Sequence, residues 1–230
     1  MSGPEAMRCR ALVPVKPLAR AKQRLAPLLS DGERIALARA MLGDVLAALA
    51  ATPAIAGIVL VTDDPLAASL AASFAARTVP DDGAPHLNDA IRRGLARCEA
   101  GTDSVMIVPA DVPFATADEF AAVVAALRHY PVVLSPAVAD GGTNALAMRR
   151  PDSIAPQFGA DSFRRHQIEA AAAGLACGIV HGDGLGRDID RPEDLVAALG
   201  RAPATATARL LADLAIPQRC RLLQSSGCTP

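Results

Sequence analysis

The chain has no tryptophan, one tyrosine and five phenylalanines, so aromatic residues make up 3% of it. A core without large rings must be assembled from Ala, Val, Leu and Ile, and an apolar share of 51% supplies enough of them for a sizeable interior. Excess charge is missing as well. Lys and Arg number 23 against 24 Asp and Glu, a formal net charge of −1, which gives no field for nucleic acid or a membrane surface. Cysteines are few and odd in number, and Cys9, Cys98, Cys177, Cys220 and Cys228 form no C-x-x-C pair. This argues against a disulfide framework or a zinc site and for reduced thiols. No stretch approaches the roughly 20 uncharged apolar residues of a membrane span. Met1 to Arg10 has no apolar segment of signal-peptide length. The cytoplasm is the expected compartment.

What is present is an alternation of short apolar runs and helical periods. Ala11–Val15, Ile55–Thr62, Arg77–Val79, Ser104–Val108, Val132–Val138, Asn144–Met148 and Ala176–His181 read as strands. Helices are predicted over 31–51 with a Ser30/Glu33 capping box, from Pro65 to Ala76, and from His86 to Ala100. Further helices follow over 116–129 with a Thr116/Glu119 box, Ser162–Ala173, Arg191–Leu199 and, weakly, 203–215. Repeated β–α alternation predicts an α/β fold, a single domain over 8–216 with a mostly parallel, doubly wound sheet. The run QRCRLLQSSGCTP has no clear period, so the tail 217–230 is expected to lack fixed structure. In such sheets ligands bind beyond the carboxyl ends of the strands, so motifs there matter most.

Four motifs fall at those ends. The first, Pro14-Val15-Lys16-Pro17-Leu18-Ala19-Arg20-Ala21-Lys22-Gln23-Arg24, gathers four cations after the first strand. It suits phosphate oxygens or is a solvated basic loop, and it is neither a Walker A nor a G-x-G-x-x-G motif. The second, Pro109-Ala110-Asp111-Val112-Pro113, puts an acid after a buried strand, either as a ligand for magnesium or as a turn cap. The third, Gly186-Arg187-Asp188-Ile189-Asp190-Arg191-Pro192, is D-x-D. If extended, it aims both carboxylates one way and Ile189 into the protein, and two like charges so close call for a cation. Alternatively Asp190 caps the helix that Pro192 opens. The fourth joins Asp140-Gly141-Gly142-Thr143-Asn144 to Phe158-Gly159-Ala160-Asp161-Ser162-Phe163-Arg164-Arg165-His166. Gly159 and Ser162 start a helix, whose free N–H groups favour an anion, and Arg164 or Arg165 could add a charged fork. The bland alternative is a hairpin turn and a capped helix. His166 reads as a packing or surface histidine rather than a catalyst, and Asn88 either caps a helix or bonds a base or ribose.

In order along the chain, VPVKPLARAKxRLA, LNDA, PADVP, DGGTNAL, FGxxSFRRH and RDIDxPEDL resemble the phospholactate guanylyltransferase family, known as CofC or FbiD, from about Leu12 to Leu199. The resemblance implies a nucleotide-diphospho-sugar transferase-like α/β domain. It implies guanylyl transfer from GTP to a three-carbon phospho-acid (2-phospho-L-lactate, phosphoenolpyruvate or 3-phospho-D-glycerate), with release of pyrophosphate, in biosynthesis of the deazaflavin coenzyme. By the same resemblance Asp111, Asp188 and Asp190 hold Mg2+. Thr143, Gly159 and Ser162, with Arg165, hold the acceptor. Lys16 and Lys22 act on the GTP phosphates as catalytic cations, and Asn88 and Pro109 face the nucleotide. The implied partners are GTP and the phospho-acid, with no nucleic acid and no membrane; a homodimer is compatible. Ala-, Arg- and Gly-rich composition favours phosphoenolpyruvate or 3-phosphoglycerate as acceptor. Rival readings are another magnesium-dependent nucleotidyl- or glycosyltransferase of the same fold, or a non-catalytic nucleotide-binding protein.

Overall fold

A computed structural model describes residues 8–98, 104–201 and 204–225. Seven strands form one sheet: β1 (Cys9–Pro14), β2 (Ile55–Val61), β3 (Arg77–Val79), β4 (Ser104–Ile107), β5 (Val132–Pro136), β6 (Thr143–Met148) and β7 (Cys177–Ile179). Their order is β3-β2-β1-β4-β6-β5-β7. Only β6 runs against its neighbours β4 and β5, so the sheet is mostly parallel, as predicted.

The helices are α1 (Asp31–Ala50), α2 (Pro65–Ala72), α3 (Leu87–Ala96), α4 (Ala117–Ala126), α5 (Ser162–Ala172), α6 (Pro192–Ala198), α7 (Ala206–Asp213) and α8 (Ile216–Ser225). Strand alternation sorts the core onto two faces. Ala11 and Val13 pack with Leu42, Val45, Leu46 and Phe120 of α1 and α4, while Leu12 faces Ile91 of α3 and Ala170 of α5. Both capping boxes predicted from sequence are formed, Ser30 with Glu33 and Thr116 with Glu119. The second helix stops at Ala72, short of Ala76, because the chain turns through a left-handed Ala75 (φ 52°). The helix predicted to reach Ala100 ends at Ala96, where Arg97 leaves helical geometry (φ −100°, ψ 3°), and residues 99 and 100 lie outside the described residues.

A third apolar cluster joins α1 to the C-terminal helices. Leu37 and Met41 meet Leu195, Ala198, Leu211 and Ile216. Asp44 of α1 accepts from the backbone N–H groups of Ala206 and Thr207 at 2.8 Å each, satisfying free donors at the start of α7. The expectation of an unstructured tail from 217 is corrected over its first part. Ile216 is fully buried, Cys220 one turn later packs on the same cluster, and Arg219 pairs with Glu33 at 2.7 Å. Its contacts through Ile216, Cys220 and Glu33 join segments far apart in the chain, so no local period announces this helix. Residues 226–230 lie outside the described residues. Among the described residues no helix is long and apolar enough to cross a membrane.

Candidate functional site

The carboxyl end of β1 leads into the basic loop. Val15 N–H reaches the carbonyl of Val61 at 2.9 Å, and Leu18 N–H donates to Asp64 at 2.7 Å. The other oxygen of Asp64 caps α2 through Leu66 and Ala67, so one buried carboxylate ties the loop to a helix start. Two short 3-10 turns, Leu18–Arg20 and Gln23–Leu25, flank Lys22, whose backbone is left-handed (φ 54°). That turn sends the lysine side chain inward, leaving it 9% exposed. Its ammonium lies 2.8 Å from Asp111 and 3.6 Å from Asp190. Burial acts to lower the lysine's pKa, but Asp111, Asp190 and Asp188 outweigh it and the net shift is upward.

Asp111 and the D-x-D segment are held together by their backbones, Ile189 N–H donating to the Asp111 carbonyl at 3.0 Å. Ile189 is buried in the third cluster, as the extended reading requires. The two aspartates then diverge in use. Asp190 accepts from Arg24 at 2.5 Å, and its backbone N–H is held by Asp194 at 2.9 Å. Asp188 accepts from the Asn144 amide at 3.3 Å. Burial, then the charge of Asp111, pushes the Asp188 carboxyl up to about 6. The three carboxylates Asp111, Asp188 and Asp190 are met by two cations, Lys22 and Arg24, which leaves the centre one positive charge short.

Among the described residues, no group of three or more His, Cys, Asp or Glu side chains is gathered as a ready metal cage. Magnesium needs less than a cage: it takes one or two carboxylates and fills the rest of its shell with water and substrate phosphate oxygens. Asp111 and Asp188, hard oxygen donors in a charge-deficient setting, fit that requirement. Asp190, expected as a third ligand, lies beside them, sharing Lys22 with Asp111 and pairing with Arg24.

Next to this centre lies a hydroxyl pair. The pairing of β5 and β6 slips by one residue, so that Pro136 faces Thr143 and not Asn144. Such bulges re-aim side chains. Asn144 points to Asp188, while Thr143 meets Ser162 at 3.1 Å and His166 Nδ1 at 3.0 Å. His166 is fully buried, and its Nε2 accepts from Gln157 N–H at 2.8 Å. Burial, then Arg165, pushes its pKa down to about 4, so the ring is neutral near pH 7. A neutral imidazole whose Nε2 lone pair is taken by a backbone donor carries its proton on Nδ1. It cannot accept a proton from Thr143, which excludes a nucleophile–base pair here.

The other predicted residues are placed as follows. Lys16 is exposed on the basic loop, and Pro109 is half-buried after β4. Gly159 (φ +122°) needs the freedom of glycine, and Arg165 folds back on its neighbour, donating to the Ala160 carbonyl at 2.8 Å. Asn88, expected to face the nucleotide, clasps the backbone of Phe158 instead. It donates to the Phe158 carbonyl at 3.0 Å and accepts from its N–H at 2.8 Å. Both ends of the amide are thereby used in pinning the loop that carries Gly159. Asp64, Asn144 and Asp194 also build the site, with no role expected of them from the sequence. The Asp-Pro start of α2 signals a cap at Asp64, but nothing local signals the long-range bonds.

A family model described as Guanylyl transferase CofC like matches residues 9–220. The chain belongs to this family. Relatives named phosphoenolpyruvate guanylyltransferase from Sphaerobacter thermophilus and 3-phospho-D-glycerate guanylyltransferase from Phenylobacterium zucineum are 44% and 40% identical to it. These matches cover 86% and 84% of this chain and 95% and 91% of theirs. Among solved structures, a protein provisionally named a nucleotide-diphospho-sugar transferase from Desulfovibrio desulfuricans G20 superposes with a TM-score of 0.74 at 20% identity, covering 94% of this chain and 99% of that one. A 4-diphosphocytidyl-2C-methyl-D-erythritol synthase from Anaerococcus prevotii gives 0.62 at 15% identity, covering 89% and 96%. The fold is thus the nucleotide-diphospho-sugar transferase type expected from the sequence, and family membership makes the chain a nucleotidyltransferase.

Proposed function

We propose that the protein transfers the GMP moiety of GTP to the phosphate of a three-carbon phospho-acid, releasing pyrophosphate, as a cytoplasmic step of deazaflavin coenzyme synthesis. The observation that carries this reading is the adjacency of two centres on consecutive residues. Asn144 touches the cluster of Lys22, Asp111, Asp188 and Asp190, and Thr143 touches the Ser162 hydroxyl beside Gly159. One centre suits a triphosphate and the other a small anion. The names of the family and of the relatives above support GTP as donor and a phospho-acid as acceptor.

An acceptor phosphate oxygen forms a bond to the α-phosphorus of GTP, and the bond to the bridging oxygen of pyrophosphate breaks. The attacking oxygen is already anionic near neutral pH, so no general base is required. The barrier is dominated by repulsion between two polyanions and by charge growing on the leaving group. Lys22 and the exposed Lys16 supply cations on the basic loop, while Thr143, Ser162 and the glycine-edged turn orient the acceptor. Orientation of this kind can lower a barrier by roughly 7–11 kcal/mol. Asp111 and Asp188 would hold magnesium, which supplies Lewis-acid stabilisation of phosphate charge when bound.

The test is one reaction containing the protein, magnesium, GTP and equal amounts of phosphoenolpyruvate, 3-phospho-D-glycerate and 2-phospho-L-lactate, with products identified by mass. A parallel reaction replaces GTP with ATP. A guanylylated phospho-acid formed from GTP alone is expected. Product only with sugar phosphates, or GTP binding with no pyrophosphate released, would replace the proposal by one of its rivals.

A further inference from the structure

His166 sits behind the hydroxyl pair, and its bonding fixes more than its own ring. Gln157 N–H can only donate, so Nε2 must accept and the ring proton must lie on Nδ1. Nδ1–H then donates to Thr143 Oγ1. Thr143 and Ser162 hold two hydroxyl protons between them, and one is spent on their mutual bond. Whichever way that bond runs, the other proton has no acceptor among the described residues. The pair is also nearly out of water, with Thr143 4% and Ser162 1% exposed. A buried O–H without an acceptor is costly, and an anionic oxygen is the partner that relieves it best. The imidazole is held in place by an edge contact with Phe158, ring centres 5.2 Å apart at 70°.

We propose that His166 is a positioning residue of the acceptor pocket, acting through the Thr143–Ser162 pair: by donating to Thr143 it turns the pair into a net hydrogen-bond donor toward the anionic end of the acceptor. This rests on the reading of that pair as the acceptor's anchor. If Nε2 carried the proton instead, Nδ1 would draw the Thr143 hydroxyl proton onto itself, and the pair's spare donor would be lost. The same ring bond pins Gln157, two residues before Gly159, so His166 sets both the polarity and the edge of the pocket.

Two substitutions separate these roles. In His166→Asn the amide nitrogen takes the place of Nδ1 and keeps the donor to Thr143. In His166→Gln the amide oxygen takes the place of Nε2 and keeps the bond to Gln157 while losing Thr143. The expected result is an acceptor KM raised about tenfold or more in His166→Gln, with the KM for GTP within about twofold of wild type, and partial recovery of the acceptor KM in His166→Asn. An unchanged acceptor KM in His166→Gln, or equal changes in both KM values, overturns the proposal. Nitrogen NMR of the labelled wild-type protein reads the tautomer without reference to turnover. Protonated Nδ1 with bare Nε2 is expected, and the reverse tautomer overturns the proposal even if transfer is normal. A wild-type protein that transfers GMP to no phospho-acid, yet shows the expected tautomer, overturns the functional reading on which the proposal stands.

Discussion

The ammonium of Lys22 lies 2.8 Å from the carboxylate of Asp111, bridging the first strand's loop to the fourth across 89 residues of chain. The same nitrogen is 3.6 Å from Asp190. One cation thus sits between two acids at the place where phosphates and their counter-ion would meet. Lys22→Met is expected to lower kcat/KM for pyrophosphate release by roughly 10²–10³-fold, the usual cost of losing one charge-stabilising group. Steady-state kinetics with GTP checks this, and a loss under about fivefold would remove Lys22 from the mechanism.

Asp188 gives a prediction in which activity and stability move apart. Its folded pKa, about 6, lies above the ordinary 3.8, so the native state binds the proton more tightly than the unfolded chain. The contribution of Asp188 to stability is therefore full below about 3.8 and is lost as pH rises through about 6. Asp188→Asn should abolish transfer yet raise stability at pH 7 by about 1–2 kcal/mol, after discounting the full shift for solvent screening. Urea denaturation at pH 4 and pH 7 decides it; a variant less stable than wild type at pH 7 contradicts the electrostatic account.

Glu33 works in the opposite sense. Arg219, then the backbone of Ser30, holds its carboxyl down near 2, below its ordinary 4.5. The stabilisation is present above 4.5 and is lost as pH falls toward 2. Glu33→Gln should show a shallower loss of stability between pH 5 and 2 than wild type, and faster hydrogen exchange in α8 at pH 7. Unaltered exchange in α8 would mean that its apolar anchors alone hold it.

At Gly184 a Cβ would fall 1.9 Å from the carbonyl oxygen of Phe114. Gly184→Ala must displace the loop that leads to Asp188, and a destabilisation of about 1–3 kcal/mol with a lower transfer rate is expected. Chemical denaturation alongside the kinetic assay measures both. Stability equal to wild type would show that the close approach is not kept in solution.

For Asn88 the structure and the sequence-based expectation differ in a measurable way. Asn88→Ala should raise the KM for the acceptor by about five- to tenfold through release of the Phe158 loop, with the GTP KM nearly unchanged. A selective rise in the GTP KM instead would restore the nucleotide-facing role.

What could be read before the structure was whatever chemistry is local. Both capping boxes, the buried strands and the inward turn of Ile189 follow from spacing of a few residues, and all three are found. The unread part depends on contacts between distant segments. Asp190 is read as a ligand because its partner in sequence is Asp188, but nothing local announces that Arg24 and Lys22 also reach it. Asn88 looked like a reader because amides bond bases, yet Phe158, 70 residues on, takes both its groups. His166 passed as packing because nothing nearby in sequence shows that Gln157 would fix its tautomer.

The one-residue slip between β5 and β6 has a consequence for how this enzyme can vary. Because Thr143 and Asn144 share a peptide bond yet serve different charges, neither centre can be re-spaced alone. A change in acceptor size has to be absorbed by the helix side of the pocket, around Gly159 and Ser162, while the strand side stays at a fixed distance from the phosphate chemistry.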